Sequence, residues 1–138
     1  EYSRDERMNP RVRFSLAHEF GHMILHPEVF KAYRTHNPGS VLNWVLHIKE
    51  RFDTELLERE ANEFAAGFLV PGDELQFRYD KLLPAVRNKL ADSGMDLAQM
   101  DSETLYGYMA NAICREFDVS SKVVAIRLDR IGARTQWE

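Results

Sequence analysis

The 138-residue sequence holds a single cysteine, Cys114, which excludes an internal disulfide framework and any multi-cysteine metal cluster. Lying after Ala112-Ile113 in an apolar helical stretch, it reads as a small buried hydrophobe, and the absence of disulfides suits a reducing, cytoplasmic setting. Long apolar runs are missing too. None approaches the ~18 residues that cross a bilayer, and the charged opening Glu1-Tyr2-Ser3-Arg4-Asp5-Glu6 does not read as a signal peptide. No charge of one sign accumulates: 18 basic and 22 acidic residues give −4, shared evenly by the two halves. Without a basic block, generic binding to nucleic acid or to an anionic membrane loses its physical support. Repeats and low-complexity tracts are absent.

What is present is an ordinary globular composition, 44% hydrophobic and 29% charged, in a chain sized for one domain over residues 1–138. Because it opens without methionine, a fragment lacking N-terminal sequence is expected. Leu16, Phe20, Met23 and Ile24 recur at helical spacing and predict a helix from Phe14 to His26, stopped by Pro27. Residues 28–40 read as a connection with a turn at Asn37-Pro38-Gly39 and Ser40 as a candidate N-cap. The run 41–52 favours a helix over a short strand. Asp53 is placed to cap a helix over 54–69, ended by Val70-Pro71-Gly72. Three more helices are expected: about Asp73 to Ala91, kinked or split at Pro84; Ser102 to Phe117; and Ser120 to Ile131, closed by Gly132. Phe20, Trp44 and the other aromatics are assigned to the core. The expected fold is mostly α, with at most a small, truncated β-sheet.

The chemistry concentrates in His18-Glu19-Phe20-Gly21-His22, an H-E-x-x-H pattern on a predicted helix. Random ordering of the 5 His and 13 Glu would produce it roughly 0.02 times in such a chain. His18 and His22 sit one turn apart on one face, so both rings can reach one Zn²⁺ at ~2.0–2.1 Å. Glu19, ~100° round the helix, is poorly placed as a ligand but suited to take a proton from water held there. His26 continues the spacing, yet it lies ~12 Å along the axis from His18 and cannot close the same site. It reads as a C-terminal histidine favoured by the helix dipole, standing behind the ligands or on the substrate side.

A third ligand is sought in Leu57-Glu58-Arg59-Glu60-Ala61-Asn62-Glu63-Phe64-Ala65-Ala66. Glu58, Ala61, Asn62 and Ala65 form one stripe whose small residues allow close approach of another helix. Glu58 is therefore favoured over Glu60, with Asn62 able to hydrogen-bond a ligand histidine's other nitrogen. Glu60 and Glu63 point elsewhere and are expected to be solvated.

Arg13 through His22, followed by Leu25-His26, resembles the signature helix of the ImmA/IrrE family of bacterial and phage metallo-endopeptidases. Glu58 through Pro71 resembles that family's second signature, and the segment from Phe117 to Leu128 is more loosely similar to its closing helices. The two motifs cover about 28 of the 138 residues. The resemblance implies a zincin-like fold with a gluzincin-like zinc site, in which His18, His22 and Glu58 match the metal ligands and Glu19 the general base. It also implies a partner, a helix-turn-helix repressor whose cleavage relieves transcription of stress-response or mobile-element genes. This sequence departs from the pattern in having little chain before the signature helix, where the family carries a strand. The 35 residues between His22 and Glu58 are also longer than usual, so 28–53 is expected to be an insertion near the cleft.

Peptide-bond hydrolysis without a covalent intermediate follows as the expected reaction. An oxyanion donor is still needed, and Tyr79, Tyr106, Tyr108 and His47 are the candidates. Two other readings compete. One keeps the zinc but docks its regulatory partner uncut. The other, a DNA-binding helix-turn-helix over Ala110 to Leu128, is weakened by five basic against three acidic residues over 110–134.

Overall fold

The structure, a computed structural model, describes residues 8–36, 39 and 41–133. Among these residues the chain is helical and contains no strand: α1 Pro10–Leu25, α2 Pro27–His36, α3 Val41–Arg51, α4 Thr54–Leu69, α5 Gly72–Asp92, α6 Ser102–Phe117 and α7 Ser121–Ile131. A short 3₁₀ turn, Leu97–Gln99, precedes α6. The chain divides into two compact units, one of residues 14–65 and one of 1–13 with 66–138.

The larger unit is built on apolar burial. α5, α6 and α7 pack together around Leu75, Tyr79, Met109, Ile113, Val124 and Leu128, all essentially without solvent contact. Burial of each of the aliphatic side chains contributes about 1.5–3 kcal/mol before entropy is counted. The helix ends match the sequence signals. Asp101 accepts from the Thr104 amide at 2.8 Å to start α6, Ser120 accepts from Val123 to start α7, and Gly132 closes α7 in the left-handed region at φ 60°. Asp118 ends α6 at φ 52°, a conformation that aspartate tolerates better than most residues. Arg13 reaches the same helix end, donating to the Phe117 and Asp118 carbonyls at 3.0 and 3.2 Å. Arg127 likewise donates to the Val70 carbonyl just past α4. Cys114 packs half-buried against this core.

Two expectations are corrected. α5 is one continuous helix and is not split at Pro84; the proline lies on the exposed face while Leu83 and Val86 turn inward, so its missing N–H falls where water can serve the orphaned carbonyl. The connection expected over 28–40 contains α2. Pro27, which ends α1, also opens α2, because a first-turn position needs no N–H and favours the proline's φ. The run 41–51 is helical throughout, as its pattern favours. Asp53 does cap α4, accepting from the Leu56 amide at 3.0 Å. Asn37, Pro38, the Ser40 cap and the side chain of Trp44 lie outside the described residues.

Among its described side chains, the smaller unit buries small residues. On α1 the apolar stripe Leu16, Phe20, Met23 and Ile24 is exposed, and the face turned inward carries Ala17 and Gly21. On α4, Ala61 and Ala65 are fully buried. A methyl group added at Gly21 would meet the Phe64 ring at 3.0 Å and the Ala61 carbonyl oxygen at 3.3 Å, so α1 and α4 approach closely where Gly21 stands. Phe20 does not enter the core; its ring meets Phe64 edge-on, centroids 6.1 Å apart.

Candidate metal centre

The close approach of α1 and α4 brings the H-E-x-x-H side chains against the carboxylates of the next long helix. His18 Nε2 and His22 Nε2 lie 3.0 Å apart. Each stands 3.2 Å from a different oxygen of Glu58, His18 from Oε2 and His22 from Oε1. The two rings meet edge-on at 4.6 Å between centroids. Ligand atoms of a tetrahedral zinc with bonds of ~2.0–2.1 Å are separated by about 3.3 Å, a spacing the two ring nitrogens come near and the Glu58 carboxylate spans with one oxygen towards each ring. His18, His22 and Glu58 together offer three ligand atoms within 4.8 Å of one another.

The distal nitrogens fit the same purpose. His18 Nδ1 lies 3.0 Å from Asn62 Oδ1, an acceptor. Its proton therefore belongs on Nδ1, which leaves the Nε2 lone pair directed at the triangle. His22 Nδ1 lies 3.0 Å from His26 Nδ1, and His26 Nε2 lies 2.9 Å from Glu60 Oε2. The donor set, two imidazole nitrogens and one carboxylate, suits a divalent metal of zinc's character.

Exposure grades the site. The His18 and His22 side chains are each 16% exposed, whereas that of Glu58 is 60% exposed, so the carboxylate edge opens to solvent. Glu19 is exposed beside His18 on α1. His26 is buried between His22 and Glu60, so it stands behind the triangle and not on an open substrate side. Glu60 is not merely solvated as its helical phase suggests: its flexible side chain bends to His26. The i+8 histidine beside a nearby carboxylate is the signal for that pair, and reading phase without reach passes over it. Of the oxyanion candidates, Tyr79 and Tyr106 are buried in the core of the larger unit and drop out.

The sequence profile of the IrrE N-terminal-like domain, a peptidase family, matches residues 4–129 of the chain. The chain belongs to this family. No curated protein and no solved structure matches it. The family assignment and the His-His-Glu triangle agree on a metallopeptidase-like protein with a site able to hold a metal ion.

Proposed function

We propose that the chain is a zinc-dependent endopeptidase with His18, His22 and Glu58 as metal ligands and Glu19 as general base. The observation that carries this reading is that the two H-E-x-x-H nitrogens lie 3.0 Å apart and each stands 3.2 Å from one oxygen of the Glu58 carboxylate. Zinc bound there would supply a Lewis acid that lowers the pKa of water towards about 7. Glu19, one residue from His18 and open to solvent, accepts the proton of the attacking water and returns it to the leaving amine. Asn62 holds the His18 ring in its ligating orientation. A cytoplasmic helix-turn-helix repressor is the substrate class that the family suggests.

Co-expression with such a repressor tests the reading. The wild type should shorten the repressor while Glu19→Gln leaves it intact, with zinc content unchanged and turnover down ~10²–10⁴-fold. A repressor that co-purifies uncut with the zinc-loaded wild type would instead make the protein a docking regulator.

A further inference from the structure

The two histidines of the triangle are supported unequally. Behind His18 stands a neutral amide; behind His22 stand a second imidazole and a carboxylate in series. We propose that His26 and Glu60 are positioning residues that fix the ring orientation and tautomer of His22, so that its Nε2 lone pair faces the metal. This rests on the metal-centre reading above and names the part of the site that sets its strength.

The polarity of the series follows from hydrogen-bond parity, starting at Glu60. An ionised carboxylate can only accept, so at 2.9 Å the proton between Glu60 and His26 belongs on His26 Nε2. A neutral imidazole carries one proton, which leaves His26 Nδ1 an acceptor. At 3.0 Å from it, His22 Nδ1 must then be the donor, and His22 Nε2 is left bare. The reversed tautomer would set a lone pair of His26 against the Glu60 carboxylate and place the His22 proton on Nε2, where it would block ligation. Burial of His26, only 6% exposed, limits competition from water for these contacts. The bond to Glu60 is charge-assisted and the next one adjoins it, so the carboxylate helps to hold the orientation of the His22 ring through a ring that stands between them. His18 receives no such assistance.

Two measurements test this. Zinc affinity of the full chain is read by competition with a chromophoric chelator. Support of this kind is typically worth 10–100-fold in metal affinity. His26→Met, which keeps apolar bulk, should weaken zinc by that range, whereas His26→Gln, whose amide can accept from His22 and donate to Glu60, should recover most of the loss. A purely packing role predicts the opposite order and would overturn the proposal. Glu60→Gln should weaken zinc about tenfold while the exposed control Glu55→Gln leaves it unchanged, and equal affinities for the two would also overturn it. If the His26 variants do not fold, Glu60→Gln and the second measurement still decide. That measurement is the imidazole ¹⁵N–¹H correlation spectrum of the zinc-loaded wild type, expected to place the His26 proton on Nε2; a proton on Nδ1 refutes the series. A chain that shows this pattern but cuts no peptide sinks the peptidase reading alone. A chain that cuts peptide yet holds zinc equally with and without the Glu60 charge sinks only the positioning role.

Discussion

The two units reach order by different routes. In the larger one, α5, α6 and α7 bury Leu75, Tyr79, Met109, Ile113 and Leu128, and the polar groups serve mainly as caps. Among the described side chains of the smaller one, those fully or nearly buried are Ala17, Gly21, Ala32, Ala61, Ala65 and His26, while Leu16, Phe20, Met23, Leu42 and Leu46 stand exposed. One unit buries large apolar side chains; the other, among its described side chains, buries small residues and a histidine. With no large apolar side chain fully buried among the described residues of the second, an ion held at the triangle would supply a larger share of its stability.

That contrast can be broken experimentally, and the largest effect should come from the metal. Zinc at 1,000 times its dissociation constant stabilises a folded state by about 4.1 kcal/mol. Amide hydrogen exchange with and without chelator should show that protection lost over α1 and α4 and retained over α5–α7. Equal loss in both would mean the units unfold as one. Next comes Leu75→Ala, expected to cost ~2–5 kcal/mol in denaturant unfolding because it opens a cavity where the side chain has no solvent contact. It should leave the zinc dissociation constant unchanged. Gly21→Ala should cost about 1–3 kcal/mol by overpacking against Phe64 and Ala61, and unlike Leu75→Ala it should weaken zinc as it separates α1 from α4. Undiminished affinity in that variant would show that the close approach is not needed.

Smaller effects sharpen the picture of the larger unit. The Tyr79 hydroxyl is buried and meets no hydrogen-bond partner among the described residues. Tyr79→Phe should therefore be neutral or raise stability by up to about 1 kcal/mol, measured as a shift in denaturation midpoint. Burial holds the Tyr79 phenol up at about 12, with lesser contributions from Tyr106 and Asp80. A group that ionises later in the folded state gives its full contribution below the ordinary phenol range and loses it as pH rises through the folded value. Removing the hydroxyl should flatten that alkaline decline. The smallest effect belongs to Asp101, whose carboxyl is held below the ordinary range first by the Thr104 amide and then by the Thr104 hydroxyl. Its contribution is present above the ordinary carboxylate range and fades as pH falls through the folded value, so Asp101→Asn should lower the melting temperature slightly at neutral pH and less in acid.

Much of this is legible in the sequence because it is local. Asp53, Ser120 and Gly132 act within one turn of their own helices, and caps follow from residue type and position. The pairing of His18 and His22 is set by helix geometry. The small-residue stripe of α4 announces close packing, and the structure sets Glu58 and Asn62 of that stripe against the two rings. What escapes depends on tertiary context. Leu16, Phe20, Met23 and Ile24 have the spacing of a core face, but the need for α4 to come within bonding reach turns the Ala17 and Gly21 side inward instead. Pro27 and Pro84 have the chemistry of helix stops; one is also a helix start and the other is tolerated on an exposed face. Helical phase alone sends Glu60 to solvent, yet a glutamate's three rotatable bonds allow it to serve a ring its Cα does not face.

Of the two unspecified letters inside H-E-x-x-H, this protein treats one as open and the other as closed. Phe20 is largely exposed, where many side chains would fit, but at Gly21 even a methyl would press on the Phe64 ring and the Ala61 carbonyl. A related chain with a bulky residue at that second letter would have to hold its helices farther apart, and a donor reaching across from the neighbouring helix would need a longer arm than Asn62 has. The identity of that one letter thus forecasts how far the remaining donors must reach.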